Sequence, residues 1–427
     1  MGHAEAVAED AVTGAERFRR VRGTTEALAA ALTAEDQTVQ SMPDASPTKW
    51  HRAHTTWFFE TFVLGPHAPG YRVFDPDYAY LFNSYYEAAG PRHPRPRRGL
   101  LTRPGIAAIA AYRAHVDAAM LAFLDDAERA RPLAPLIALG LAHEEQHQEL
   151  LLMDILSVFA ANPLRPAFRE ALPAAPAAGG DGRWLDFDGG IRAVGHDAGD
   201  GRGGFAFDNE GPRHAVLLQP FRLFSRPVTC GAWKAFIADG GYTTPTLWLS
   251  DGWAAVQAEG WTAPGYWRHR DGAWHVMTLG GERPVEDDAP VSHVSLYEAD
   301  AFARWAGARL PTEAEWETAA SGLAAAGNTL GSGRLRPAPS PEPDGERPLQ
   351  MFGDVWEWTA SAYARYPGFR PAAGAVGEYN GKFMANQFVL RGGCCLTPDG
   401  HVRGTYRNFF YPHQRWMMSG VRLAEDA

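Results

Sequence analysis

Four segments in the first part of the chain carry apolar residues at the three- and four-residue spacing of an amphipathic helix. They cover residues 15–35, 46–64, 106–125 and 136–160. A helix of this kind must bury its apolar face, and four in succession are typical of an up-and-down bundle. The pattern therefore predicts a helical bundle over residues 15–170.

The pattern changes after residues 172–182, a Pro-, Ala- and Gly-rich stretch that we interpret as a linker. Beyond it the apolar runs are short and bounded by Gly, which favours strands. Two helices are predicted there, because Ser295 with Glu298 and Thr312 with Glu315 have the spacing of capping boxes. We expect residues 183–425 to form an α+β domain with much irregular structure.

Two histidines stand on the most strongly helical segment, LAHEEQHQELLLMD at residues 141–154. His143 and His147 are four residues apart, so a helix places both imidazoles on one face, where they can bind one transition metal. A surface helix with two solvated histidines is the alternative. A zinc-protease site is another, because Glu144 directly follows the first histidine, as the general base of that motif does.

A third ligand would favour the metal site, and His54 is the best candidate. It opens an amphipathic stretch with an aromatic face and lies three residues before Trp57, so we expect it to point inward. His51 could equally well face water, and we expect its loss to be mild by comparison.

Composition excludes several classes of protein. The 427 residues suffice for two or three domains, and a net charge of −10 argues against a nucleic-acid partner. Neither a secretory signal nor a run of about 18 apolar residues is found, so no membrane span is expected. Cys230, Cys394 and Cys395 make no disulfide framework, which is typical of a reducing cytoplasm, and we expect a cytoplasmic protein.

The loop between the second and third predicted helices, residues 65–104, is unusually long. Loops of this length in compact domains are usually functional or disordered, and its tyrosines argue against disorder. Its arginines, which include Arg95 and Arg98, are open to a second interpretation as a solvated charge run.

Several motifs together resemble the ergothioneine-biosynthesis sulfoxide synthases, the EgtB family. They are SPTKWHRAHTTWFFETF, HEEQHQE, GARLPTEAEWETAA, FGDVWEWTAS, VLRGG and TYRNFF followed by SGVRLA. The resemblance covers nearly the whole chain. It implies a DinB-like four-helix bundle followed by a C-type-lectin-like domain of the formylglycine-generating-enzyme, or sulfatase-modifying-factor, type.

The resemblance implies an Fe(2+) enzyme that uses O2 to join a thiol sulfur to C2 of the imidazole ring of hercynine. With L-cysteine as the thiol, the product is hercynylcysteine sulfoxide. The three-histidine iron site of the family carries over to His54, His143 and His147. Glu144 is then expected to support the site or lie on the surface, which answers the zinc-protease alternative.

The chain resembles the cysteine-using branch of the family. It has Phe410 where users of γ-glutamylcysteine carry an aspartate that meets the extra amino group. The loop NSYYEAAGPRHPRP is similar to one that supplies two tyrosines and a carboxylate-binding arginine in cysteine users. The residues implied are Tyr85 and Tyr86 for catalysis, with Tyr86 favoured as proton donor, and Arg95, Gln146, Asn408, Phe409 and Phe410 for substrate binding.

Alternatives remain open at this point. A γ-glutamylcysteine-using synthase and a selenoneine synthase, which takes a selenosugar, share the implied architecture. A DinB-type thiol transferase would lack the second domain, and a non-enzymatic binding module would not need three aligned histidines. Phe409 and Phe410 are also compatible with a core position.

Overall fold

The computed structural model describes residues 2–176, 179–197, 204–342, 345 and 347–427, and divides the chain into two compact units. The helical unit comprises Met1–Asn162 and Ala372–Tyr379, and the mixed unit comprises Pro163–Pro371 and Asn380–Ala427. The predicted linker 172–182 includes residues 177 and 178, which lie outside the described residues. The domain boundaries 15–170 and 183–425 stay predictions.

Seven helices build the helical unit as described. They are α1 (Gly2–Ala29), α2 (Thr48–Phe59), α3 (Gly65–His67), α4 (Tyr78–Phe82), α5 (Ile106–Asp125), α6 (Ala127–Ala130) and α7 (Ala134–Ala161). The long ones, α1, α2, α5 and α7, are the four predicted helices, although α1 begins and ends earlier than the predicted 15–35. Pro47 is the N-cap of α2, where a missing amide hydrogen leaves no helical bond unmade. A π-helix, Glu60–Leu64, continues α2.

Helix α5 is long and apolar enough to cross a membrane by length and composition alone. Two buried residues from its middle nevertheless bind polar partners on other helical elements. Tyr112 donates to Glu60 at 2.7 Å, and Arg113 donates to Glu144 of α7 at 2.8 Å. These contacts make α5 part of the packed interior of the helical unit.

Short strands form four small sheets in the mixed unit. The strands are β1 (Trp184–Phe187), β2 (Gly190–Val194), β3 (His214–Leu218), β4 (Phe221–Phe224), β5 (Trp267–Arg270), β6 (Ala273–Thr278), β7 (Gly281–Pro284), β8 (Trp356–Ala362), β9 (Phe388–Arg391), β10 (Asn408–Phe410), β11 (Ser419–Gly420) and β12 (Ala424–Asp426). The sheet orders are β1-β4-β12, β10-β9-β8-β11, β2-β3 and β5-β6-β7. Strand β11 pairs with β8 in parallel, and the other pairings are antiparallel.

Helices α8 (Cys230–Ala238), α9 (Ser250–Glu259), α10 (Leu296–Trp305) and α11 (Glu313–Ala320) accompany these sheets. Both predicted capping boxes are present, at the starts of α10 and α11. The sequence missed α8 and α9. Helix α8 is capped by Thr229 alone, with no Glu three residues on, so a search for capping boxes does not find it. The predicted fold class, a helical bundle followed by an α+β domain, is confirmed.

Candidate functional site

Three histidines from two helices meet inside the helical unit. His54 lies on α2, and His143 and His147 lie on α7. One possible ligand nitrogen from each ring lies within 4.8 Å of the other two. Because His143 and His147 are one turn apart, α7 presents both on one face, and packing of α2 against α7 adds His54. The structure thus brings together the three histidines singled out in the sequence, hereafter the His cluster.

The ring nitrogens of the His cluster are incompletely bonded. His54 binds the carbonyl oxygen of Phe82 through Nδ1 at 2.6 Å. Nε2 of His54 and both nitrogens of His143 are buried and have no hydrogen-bond partner among the described residues. An unpaired buried polar atom destabilises a fold by about 1–3 kcal/mol. Convergent, unpaired imidazole nitrogens fit a transition metal ion, which would satisfy them together.

The surroundings keep these imidazoles neutral. Burial lowers the pKa of His54 and of His147 well below the usual 6.5. Burial also lowers the pKa of His143 to about 3, although the neighbouring Glu144 carboxylate acts in the opposite direction. A neutral imidazole keeps the lone pair that a metal ion needs, so the cluster is ready to bind without releasing protons near neutral pH.

Aromatic rings enclose the cluster. Trp50 and Trp57 both stack on His54, with ring centroids 4.5 and 5.6 Å away and interplanar angles of 15°. Phe58 lies 5.2 Å from His143. Trp50 precedes His54 by four residues, and Trp57 and Phe58 follow it by three and four. Helix α2 therefore directs these side chains to the same side of the helix as His54. The packing fixes the imidazole orientations and limits access of water.

Three tyrosines lie beside the cluster. Tyr85 and Tyr86, both singled out in the sequence, have ring centroids 4.8 Å apart. Tyr379 lies 5.9 Å from Tyr85 and 5.5 Å from the ring of His143, and its hydroxyl donates to Oε1 of Gln146. Burial raises the pKa of Tyr85 and of Tyr86 above the usual 10, so both phenols keep their protons at physiological pH.

Sequence reasoning missed Tyr379. This residue stands 233 positions from Gln146 and ends the segment AAGAVGEY of the helical unit. The carboxylate of Glu378 accepts hydrogen bonds from the amides of Glu87 and Ala88, which ties this segment to the loop after Tyr86. A single aromatic residue in an otherwise small-residue segment is the signal that could have drawn attention to it.

Two arginines of the loop, Arg95 and Arg98, differ in environment. Arg95 is exposed, and its guanidinium donates to the carbonyl oxygen of Asp44. Arg98 is buried, donates to the hydroxyl of Ser46 at 2.9 Å, and lies with its guanidinium carbon 3.3 Å from the ring centre of Trp50. Burial lowers the pKa of Arg98 well below the usual 12.5. Among the described residues no carboxylate forms an ion pair with it, so Arg98 is a buried cation whose side-chain partners are the hydroxyls of Ser46 and Ser84 and the ring of Trp50.

Glu144 is neither exposed nor available as a base. Its carboxylate accepts hydrogen bonds from Arg22, Arg113 and Thr25 at 2.7 to 2.8 Å. Burial alone would raise the pKa of Glu144, but the two guanidinium groups lower it to about 2. A carboxylate held in this way joins α1, α5 and α7 beside the His cluster, as a supporting residue would.

The residues singled out in the mixed unit lie on β10 and are half-buried. Phe409 stacks on Tyr363 with ring centroids 4.0 Å apart, and Phe410 meets Trp416 edge-on at 5.5 Å. Oδ1 of Asn408 accepts from the amide of Phe409 at 2.9 Å. Phe383 also stacks on Phe409, with ring centroids 6.0 Å apart, so the ring of Phe409 is partly used in packing, and its role in substrate binding stays a prediction.

Comparison with known proteins assigns the two parts of the chain to different families. Residues 17–151 match the DinB superfamily, and residues 187–340 and 331–427 match the sulfatase-modifying factor enzyme 1-like domain. The formylglycine-generating enzyme of Streptomyces coelicolor is 31% identical over 62% of this chain and 96% of its own length.

Three relatives that match about nine-tenths of the chain are named hercynine oxygenase. The hercynine oxygenase of Mycobacterium tuberculosis is 36% identical over 90% of this chain and 92% of that protein. The hercynine oxygenase of Mycolicibacterium smegmatis is 34% identical over 91% and 92%. The resemblance noted in the motifs is thereby confirmed, and the chain belongs to the hercynine oxygenase family.

Proposed function

We propose that this protein is an Fe(2+)- and O2-dependent enzyme that joins the sulfur of L-cysteine to the imidazole ring of hercynine and yields the sulfoxide. The observation that carries the proposal is the His cluster, in which unpaired buried nitrogens of His54 and His143 converge with His147, in a chain related to hercynine oxygenases over nine-tenths of its length. The overall change balances: a C–H and an S–H bond break, a C–S bond forms, and one O2 supplies the sulfoxide oxygen and one water.

His54, His143 and His147 would hold the metal. When bound there, iron(II) would supply the redox chemistry for the reaction with O2. The protein contributes the geometry. The carbonyl of Phe82 orients His54, and Trp50 and Trp57 hold its ring on both sides.

The proton that the reaction needs has three candidate donors. Tyr85, Tyr86 and Tyr379 are phenols beside the His cluster, and the ring contact of Tyr379 with His143 supports it as a donor alongside the predicted Tyr86. A high pKa suits a group that must stay protonated until it acts. Gln146 accepts the hydrogen bond of Tyr379, so it would orient that phenol as well as contact substrate.

Replacing the donor by Phe should leave substrates and metal bound but slow sulfoxide formation. Oxygen activated without a proton would then oxidise cysteine, giving cysteine sulfinate as a side product. The ratio of sulfinate to sulfoxide should therefore rise in Tyr379→Phe or Tyr86→Phe, measured by mass spectrometry at saturating substrates. Unchanged rates and ratios in all three single variants, including Tyr85→Phe, would remove the tyrosines from the chemistry.

Cysteine as the thiol is supported by two features. Phe410 offers no carboxylate for the extra amino group of γ-glutamylcysteine. In this proposal the cysteine carboxylate binds an arginine of the loop, either the predicted Arg95 or the buried Arg98, because a planar guanidinium can bind a carboxylate through two hydrogen bonds. γ-Glutamylcysteine and a selenosugar remain the competing substrates, and the following assay separates them.

The test supplies iron-loaded protein with hercynine, O2 and equal concentrations of cysteine and γ-glutamylcysteine, or with the selenosugar in a parallel reaction, and identifies products by mass spectrometry. We expect hercynylcysteine sulfoxide to predominate by about tenfold to a hundredfold, the worth of one charge-assisted contact. His54→Ala, His143→Ala and His147→Ala should each lose iron and turnover. His115→Ala, a histidine of the helical unit outside the cluster, is the control and should keep both.

The proposal fails if wild-type protein binds no iron or if the His54 variant keeps full iron content and activity. Preference for γ-glutamylcysteine in the competition would transfer the enzyme to the other branch of the family. A selenosugar consumed faster than either thiol would make it a selenoneine synthase.

A further inference from the structure

A fourth histidine, His51, is hydrogen-bonded to His147 of the His cluster. His51 of α2 is buried, with 3% of its surface exposed, although the sequence was equally compatible with an exposed position. Its Nδ1 lies 2.8 Å from Nδ1 of His147, and its Nε2 lies 3.1 Å from Oδ2 of Asp154. The same carboxylate oxygen accepts the backbone amide of Ser46 at 2.7 Å. Asp154, His51 and His147 thus form a continuous chain of hydrogen bonds.

Helix geometry explains how the chain is assembled. Asp154 follows His147 by seven residues, about two turns, so both lie on the same face of α7. His51 precedes His54 by three residues on α2, so the two rings point to the same side. Where α2 packs against α7, His51 fills the space between His147 and Asp154.

The direction of the hydrogen bonds follows from the acceptor at the end of the chain. Asp154 is an acceptor that already receives an amide hydrogen, so it takes Nε2–H of His51. A neutral His51 then presents the lone pair of Nδ1, and His147 must donate its own Nδ1–H. The proton of His147 is thereby kept on Nδ1, and Nε2 is left with a lone pair. The reverse order would set the Nε2 lone pair of His51 against a carboxylate oxygen.

We infer that Asp154 and His51 are positioning residues that hold His147 in the tautomer and orientation required to bind the metal through Nε2. This inference rests on the proposed function, in that the His cluster is taken to be the metal site. Histidine ligands generally donate their second N–H to a carboxylate, carbonyl or water, and loss of that partner weakens metal affinity about 10- to 100-fold. His54 uses the carbonyl of Phe82 in the same way. For His147 the acceptor is a second histidine, itself held by a carboxylate.

Two readouts on the full-length protein test the inference. The first is 15N NMR of the imidazoles in the metal-free protein, which reports the nitrogen that carries the proton. The second is the dissociation constant for cobalt(II), an oxidation-resistant probe of a divalent metal site. In the wild type we expect His147 protonated on Nδ1 and His51 on Nε2.

The decisive variants are His51→Phe, which keeps a ring but removes both nitrogens, and Asp154→Leu, which removes the acceptor. Each should lose the single tautomer of His147 and bind cobalt(II) about 10- to 100-fold more weakly. Asp154→Asn should restore both readouts, because the amide of Ser46 obliges the carboxamide to place its oxygen where Oδ2 was. If only the negative charge of Asp154 mattered, Asp154→Asn would lose tautomer and affinity as Asp154→Leu does.

The matched control is Glu60→Leu. Glu60 is another buried carboxylate of the helical unit, and it accepts from the hydroxyls of Tyr71 and Tyr112 away from the His cluster. Its loss should leave the cobalt(II) dissociation constant and the His147 tautomer unchanged. Circular dichroism of each variant establishes that the fold is retained. If Asp154→Leu or His51→Phe does not fold, Asp154→Asn and the wild-type tautomers still decide the matter.

The inference is overturned if wild-type His51 carries protons on both nitrogens or if His147 is protonated on Nε2. It is also overturned if His51→Phe keeps the wild-type tautomer and affinity. A wild-type protein that binds no cobalt(II) or iron(II) would instead contradict the proposed function, while the tautomers of the metal-free protein would still test the hydrogen-bond chain. The sequence alone predicted that loss of His51 is mild compared with loss of a ligand, and a 10- to 100-fold loss of affinity in His51→Phe would be a larger effect than that prediction implies.

Discussion

Two buried polar sites, one in each unit, differ in how completely their groups are hydrogen-bonded. In the mixed unit, Arg422 is fully buried and donates to both carboxylate oxygens of Glu357 and to backbone carbonyls, and Trp316 donates to the same carboxylate. In the helical unit, the His cluster leaves ring nitrogens of His54 and His143 unbonded among the described residues. Arg422, Glu357, His54 and His143 are all at most 1% exposed, so burial alone does not explain the difference.

The comparison also holds inside the helical unit. Glu144 is adjacent to His143 in the sequence, yet its carboxylate is fully occupied by Arg22, Arg113 and Thr25. These three partners satisfy the carboxylate, as is normal for a buried polar group. What distinguishes the His cluster is that unpaired nitrogens of His54 and His143 converge with His147, with one possible ligand atom from each residue within 4.8 Å of the others.

Breaking the buried ion pair between Arg422 and Glu357 should have the largest effect on the free energy of unfolding. Arg422→Met should lower the free energy of unfolding by about 3–5 kcal/mol, because the Glu357 carboxylate would be left buried without its partner. Denaturant unfolding measures the change. Arg270→Met, at an exposed ion pair with Glu282, is the control and should change it by less than about 1 kcal/mol. Equal effects of the two substitutions would contradict the comparison.

Lowering the pH should lower the free energy of unfolding through His293, a buried histidine of the mixed unit. Burial lowers the pKa of His293 to about 4, against 6.5 when unfolded, so between these values the unfolded chain binds a proton that the folded chain does not. Stability therefore falls as pH drops from about 6.5 to about 4, by about 3 kcal/mol from this residue.

His293→Asn tests this in the metal-free protein, since Asn tolerates the positive φ of 62° at this position and does not titrate. Its unfolding free energy should depend less on pH than that of the wild type over this interval. Parallel pH profiles for the two proteins would show that His293 does not contribute.

Removing the unpaired nitrogens of His143 should have the smallest effect on the free energy of unfolding. In the metal-free protein, His143→Leu removes two unpaired buried nitrogens and keeps an apolar side chain, so stability should stay within about 1 kcal/mol of the wild type or rise. The rise in melting temperature that metal gives the wild type should disappear. A loss of several kcal/mol in the metal-free variant would mean that His143 stabilises the fold itself.

Much of this protein follows from local sequence pattern. The spacing of His143 and His147 on an uninterrupted helix determines that their rings share a face, because the turn of an α-helix does not depend on its neighbours. The capping boxes at Ser295 and Thr312 determine where two helices begin, for the same local reason. The motifs along the chain were also sufficient to identify its family.

Contacts between distant segments were decided by the tertiary structure. The pattern around α2 is compatible with an exposed or a buried His51, and only its packing against α7 places it between His147 and Asp154. Arg95 and Arg98 look alike in sequence, yet of the two only Arg98 is buried, and its guanidinium packs on the ring of Trp50. Helical periodicity fixes the direction of a side chain relative to its own helix axis. Which partner it meets depends on how the remaining elements pack, and that information is spread over the whole chain.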